Sequence, residues 1–153
     1  MSLRYTSAML DTDLLADVVN DPDVLRWVAP GYAELDCGFL DHPAAYMFGD
    51  EDGLVLFRPI DLDVGLYEMH YLFTEARRGK DALDLIRLSV AEMFTGHGAA
   101  VICGAVPREH MASRVMSRAL GARPHGPHTD SFGRACILYV LERKSWATSS
   151  AVS

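Results

Sequence analysis

The chain has no apolar run long enough to cross a bilayer, and Met1-Ser2-Leu3-Arg4 does not lead into the apolar core of a signal peptide. Both absences point to a cytoplasmic protein with no membrane partner. Cysteine is scarce: Cys37, Cys103 and Cys136 are odd in number and far apart. No pair has metal-ligand spacing, so reduced thiols are expected. Basic residues are few in the first half. Residues 1–66 carry a charge balance of −10 and residues 67–153 one of +3, within a net charge of −7. A net-acidic chain is a poor nonspecific ligand for nucleic acid, and no such partner is expected. The asymmetry fits a cationic partner near the first half and an anionic one near the second. Linkers and internal repeats are also missing. The 153 residues suit one domain with a real core.

Hydrophobic periodicity gives an order of elements. Leu3 to Met9 alternates loosely, as a first strand would. Asp11-Thr12-Asp13 caps a helix whose apolar positions are Leu14, Leu15, Val18 and Val19. Pro22 opens a second short helix with Val24, Leu25, Trp27 and Val28, ended by Pro30-Gly31. A loop follows, with Phe39 and Leu40 as anchors. Strands are expected over 44–48, 54–59 and 66–73, separated by the acidic turns Gly49-Asp50-Glu51-Asp52-Gly53 and Asp61-Leu62-Asp63-Val64-Gly65. From Ala82 the period changes to that of a helix. Ala82, Leu83, Ile86, Val90, Met93 and Phe94 form its stripe, and Gly96 and Gly98 end it. Residues 99–105 read as a strand buried on both faces and broken at Pro107. Met111 to Leu120 is a helix with Val115, Met116, Ala119 and Leu120 inward, closed by Gly121. Residues 123–127 are extended and 134–141 form a last strand. Residues 144–153 are expected to fray.

The turn Thr74-Glu75-Ala76-Arg77-Arg78-Gly79-Lys80 joins a strand to the long helix. A basic, glycine-containing turn at a helix start is a candidate anion site, because unpaired N–H groups, the helix dipole and the arginines all favour negative charge. His125 and His128 have no third ligand nearby, so no metal is expected.

The element order, together with Arg78-Gly79-Lys80, resembles the GCN5-related N-acetyltransferase (GNAT) superfamily over residues 1–143. The resemblance is to small, divergent, phage-encoded members. That family's phosphate loop has the form Arg-Gly-x-Gly-x-Gly/Ala. Here Asp81 stands at its second glycine and Leu83 at its final Gly or Ala. The family often shows Asn, a small residue three on, Tyr seven on, and Gly-Phe eleven and twelve on. That register gives His110, Ser113, Ser117, Gly121 and Ala122. The resemblance implies an α/β (α+β) fold, with a mixed six- to seven-stranded sheet flanked by about four helices. It also implies a splay between the strand ending near Phe73 and the strand starting near Ala99.

The resemblance implies acetyl-CoA as cosubstrate. Its pyrophosphate would lie on the backbone N–H groups of Arg78, Gly79, Lys80, Asp81 and Ala82, with charge-assisted bonds from Arg77, Arg78 and Lys80. A carboxylate at Asp81 would repel phosphate unless it faces outward and caps the helix. The strand edge at Tyr71, Leu72 and Phe73 would pair with the pantetheine amides. His110 and Ser113 fall at cofactor-facing positions of the second motif. The implied reaction moves acetyl to a primary amine, of a small molecule or a protein, with the acidic first half favouring a cationic acceptor such as lysine or a polyamine. Glu68 and His70 share a strand face as candidate bases. Ser117 replaces the family's acid, so Tyr139, His110 or an ordered water would protonate the leaving thiolate. The protein would be a monomer or homodimer. Rival readings are a CoA-binding protein without catalysis, and an acidic interaction module or virion component that uses the fold as a scaffold.

Overall fold

In the computed structural model residues 10–146 are described. The expected first strand, residues 3–9, lies outside them. Among the described residues the order is α1 (Thr12–Val19), α2 (Pro22–Val28), a 3-10 turn (Gly38–Leu40), β1 (Tyr46–Asp50), β2 (Gly53–Asp61), β3 (Leu66–Phe73), α3 (Gly79–Gly96), β4 (Val101–Pro107), α4 (Met111–Leu120), β5 (Arg123–Thr129) and β6 (Ala135–Glu142). The six strands lie in the order β1-β2-β3-β4-β6-β5. β3 and β4 are parallel, whereas β1 with β2, β4 with β6 and β5 with β6 are antiparallel. This is the mixed α/β sheet expected. No helix among these residues is long and apolar enough to cross a membrane.

The fold divides into two compact units. One runs through residue 58 and takes in 70–89; the other takes in 59–69 and 90 onward. In the first unit, Asp11 caps α1, accepting from the N–H groups of Asp13 and Leu14, and Asp21 caps α2 ahead of Pro22. Leu15, Val18, Val19, Val24 and Leu25 then bury against Met47, Leu54, Leu56 and Leu72. The connection from α2 is tied down by Asn20, whose side-chain amide donates to Leu35 O at 3.1 Å and accepts from Leu35 N at 2.7 Å. Of the two expected anchors, Leu40 is buried and Phe39 is 68% exposed. A 3-10 turn directs successive side chains about a third of a turn apart, so neighbours cannot share a face. β2 runs on to Asp61, past Pro59. Its pairing with β1 stops at Phe57, so the missing proline N–H is not needed for that ladder.

In the second unit, β4 pairs with β6 from Val101↔Glu142 to Pro107↔Cys136. Its parallel ladder with β3 is short, running from Leu66↔Val101 to Glu68↔Cys103. β5 lies at the sheet edge, with a register shift between Pro124 and Pro127 that discourages pairing with further strands. α4 corrects the expected inner face. Ser117 and Leu120 are buried, whereas Met111 and Val115 are 58% and 62% exposed and Ala119 is exposed. Ser117 can go inside because its hydroxyl donates to Ser113 O at 2.9 Å. Gly121 closes α4 with φ +90, a left-handed conformation that suits glycine. The C-terminal segment also departs from expectation. Residues 143–146 are helical, and the Trp146 ring packs 6.0 Å from that of Phe94, burying apolar surface that fraying would expose. Residues 147–153 lie outside the described part.

The turn from β5 to β6 is organised by Asp130. Its carboxylate accepts from Phe132 N at 3.0 Å, Arg134 N at 2.9 Å and Arg134 Nε at 2.8 Å. Burial pushes its pKa up, but the Arg134 and Phe132 bonds and the Arg134 charge outweigh this and hold it below the usual carboxylate value. A depressed folded pKa stabilises above the unfolded value of about 3.9, and that contribution disappears as pH falls through the folded value. Asp130→Asn should therefore cost about 1–2 kcal/mol near neutral pH in urea titrations. The gap to the parent protein should close progressively on acidification below about pH 4.

Candidate functional site

β3 ends at Phe73, and α3 begins six residues later at Gly79. The intervening turn is fastened to the β1–β2 hairpin: Thr74 N and Thr74 Oγ1 both donate to Asp52 O, at 3.1 and 2.7 Å. Arg77 N closes the turn onto Thr74 O at 3.2 Å. α3 is 18 residues long, so its first N–H groups, which have no partner within the helix, and the positive end of a full helix dipole lie at this turn. Arg78, Gly79 and Lys80 are exposed. Gly79 has φ +60, a conformation that costs glycine little. Neither Arg78 nor Lys80 forms an ion pair among the described residues. Open amides with two unpaired cations fit a pyrophosphate group. Ala82 is fully buried, so it can offer such a ligand only its backbone.

Arg77 differs from the sequence expectation. It is 5% exposed, and its guanidinium bonds Asp50 Oδ1 at 2.7 Å and Asp81 Oδ2 at 3.1 Å. A buried guanidinium must be paired, and two carboxylates engage this one. Arg77 is thus a structural cation and not the free phosphate ligand expected. Asp81 is accordingly held in an ion pair, a way of removing its charge from the loop other than the outward-facing cap that the sequence offered.

On β3, Leu72 is a core residue, while Tyr71 and Phe73 are half-buried with their rings stacked at 6.1 Å and 5°. Residues 69–73 lie beyond the β3–β4 ladder. Glu68 and His70 are half-buried on one face by strand alternation. Glu68 pairs across the ladder with Cys103. Burial, and then the Glu68 charge, push the Cys103 thiol above its usual pKa, so this cysteine stays protonated near neutral pH.

On α4, His110 is the N-cap, with Nδ1 accepting from Ser113 N at 3.5 Å. His110 thus orders the start of α4 through its ring nitrogen. Ser113 gives the cap its N–H and gives Ser117 its carbonyl. Tyr139, on β6 opposite Gly104 and Pro124, is 3% exposed. Its hydroxyl is buried with no partner, and a buried polar group left unpaired carries a cost of about 1–3 kcal/mol. His125 and His128 lie on the exposed β5.

Sequence reasoning missed Asp50, Gly53 and Cys103. A signal for Asp50 was present: an acidic glycine turn, residues 49–53, precedes a basic glycine turn, residues 74–80, at the far end of the adjoining strands. Nothing in the sequence marked Cys103.

No protein-family model and no curated protein sequence matches the chain. Solved structures do match. An aminoglycoside acetyltransferase, AAC(6')-Ib, crystallised in complex with coenzyme A and kanamycin, superposes with a TM-score of 0.75 at 16% identity, over 97% of this chain and 99% of that one. A mutant form of the spermidine N-acetyltransferase SpeG from Vibrio cholerae superposes with a TM-score of 0.73 at 17% identity, over 98% and 99%. At these identities the likeness is one of fold. The chain has the GNAT acetyltransferase fold.

Proposed function

We propose that the protein is an acetyl-CoA-dependent N-acetyltransferase acting on a primary amine of a cationic acceptor. The observation that carries this reading is the start of α3. In a chain with this fold, exposed Arg78, Gly79 and Lys80 precede a long helix whose open amides suit a pyrophosphate. One structure of the same fold was solved with coenzyme A and the aminoglycoside kanamycin, and another is a spermidine N-acetyltransferase. Both named amines are cationic, and the −10 balance of residues 1–66 suits such an acceptor.

In this reading the amides of residues 78–82 and the charges of Arg78 and Lys80 hold the pyrophosphate. The β3 backbone at Tyr71, Leu72 and Phe73 bonds the pantetheine amides. His110 and Ser113 order the α4 N-terminus. Acetyl leaves the thioester sulfur for the amine nitrogen. The amine's proton goes to Glu68 or His70, directly or through water, and the departing thiolate takes a proton from Tyr139. Tyr139 is chosen over Ser117 because the serine hydroxyl already donates to Ser113 O, whereas the phenol has no partner.

Two measurements check this. By calorimetry, Arg78→Glu should weaken coenzyme A binding far more than Arg87→Glu, since both reverse one charge on exposed residues but only Arg78 adjoins the helix start. Equal losses would mean a general charge effect and no phosphate loop. Tyr139→Phe should lower acetyl transfer to an amine panel by about 10²–10⁴-fold with binding intact. It should not lower thermal stability, because it deletes an unpaired buried hydroxyl. Ser117→Ala should leave transfer nearly unchanged. Coenzyme A binding without transfer to any amine would instead identify a non-catalytic binder.

A further inference from the structure

The phosphate-loop reading leaves one feature unexplained: a carboxylate, Asp81, in the first turn of α3. A free aspartate there would repel phosphate. It would also accept from the helix's own first N–H groups, competing for the donors a phosphate needs.

The Arg77 seat bears on this directly. Its guanidinium spans Asp50 Oδ1 at 2.7 Å and Asp81 Oδ2 at 3.1 Å. Asp50 sits at the end of β1, and the hairpin it begins is held to the turn by the two Thr74 bonds to Asp52 O. The Arg77 stem crosses Gly53. A Cβ at Gly53 would lie 3.1 Å from Arg77 Cδ, 3.3 Å from Arg77 Nε and 2.7 Å from Phe73 Cδ1, so a larger residue there would press on the Phe73 ring and crowd the Arg77 stem. Arg77 Nε is buried and without a partner. The side chain thus tolerates an unmet donor while its two terminal nitrogens reach the two carboxylates.

We propose that Arg77 is a positioning residue. Anchored by Asp50 and admitted by Gly53, it draws the Asp81 carboxylate into an ion pair and so keeps the first amides of α3 free for the phosphates of the cofactor. This rests on the phosphate-loop reading above. It explains how a loop with aspartate at a glycine position still accepts an anion. The cation expected to bind phosphate acts through Asp81, and phosphate contact falls to Arg78, Lys80 and the backbone.

The test is a rescue experiment, read as the coenzyme A dissociation constant by calorimetry, with thermal melting as a check on folding. Arg77→Met should weaken binding by about tenfold or more, as a like charge facing a phosphate would. Asp81→Asn alone should bind at least as well as the parent. The Arg77→Met/Asp81→Asn double variant should return to within a few-fold of the parent, because the repelling charge is gone. If Arg77→Met does not fold, Arg77→Lys with and without Asp81→Asn serves the same comparison, since one ammonium cannot span both carboxylates as the fork does. A double variant as weak as Arg77→Met would overturn the proposal. So would an Asp81→Asn variant that itself loses binding. A parent protein that does not bind coenzyme A would overturn the phosphate-loop reading as well, whereas a binding parent without rescue overturns only the role of Arg77.

Discussion

Two parallel strands cannot be joined by a tight turn, and this constraint shapes the centre of the molecule. β3 and β4 pair in parallel at Leu66–Glu68 and Val101–Cys103. The chain must therefore cross over between them, and it does so through α3. The crossover begins where β3 ends, which sets the N-terminus of a long helix, with its unpaired amides, just past the last residues of β3. The open helix start follows from the crossover before any particular side chain is considered. Arg78, Gly79 and Lys80 then supply charge and conformational freedom to a location the topology already provides.

The side chains around that turn solve a problem of charge. The turn carries three cations and one carboxylate within five residues, 77–81. Burying one cation between two carboxylates separates the charges by role. Arg77 is spent inside, and Arg78 and Lys80 remain outside. The acidic hairpin supplies Asp50 for this purpose, so part of the negative balance of the first half is structural.

Much of the fold was legible because its signals are local. Caps at Asp11 and Asp21, Pro22 at a helix start, acidic glycine turns and the change of period at Ala82 all act within a few residues, and the elements stand where those signals put them. α4 was read with the wrong face inward because hydrophobicity alone assigned Val115 and Ala119 to the core. A serine whose hydroxyl bonds its own helix backbone, as Ser117 does, can be buried with that group satisfied, and this option is invisible to an apolar count. The turn at 78–80 was legible as an exposed, basic, glycine-containing helix start. The Arg77–Asp50 pair, 27 residues apart, was not, since it depends on which turns meet. Nor was the unpartnered hydroxyl of Tyr139, because an unmet hydrogen bond has no sequence signature.

The central claim is that the start of α3 binds the phosphates of acetyl-CoA. It is tested most directly by titrating the isotopically labelled protein with acetyl-CoA and following backbone amide resonances. The account predicts saturable shifts at Gly79, Lys80, Asp81 and Ala82 that are larger than those at amides in the later turns of α3. Saturable binding with these four amides unmoved, or no binding at all, would contradict it.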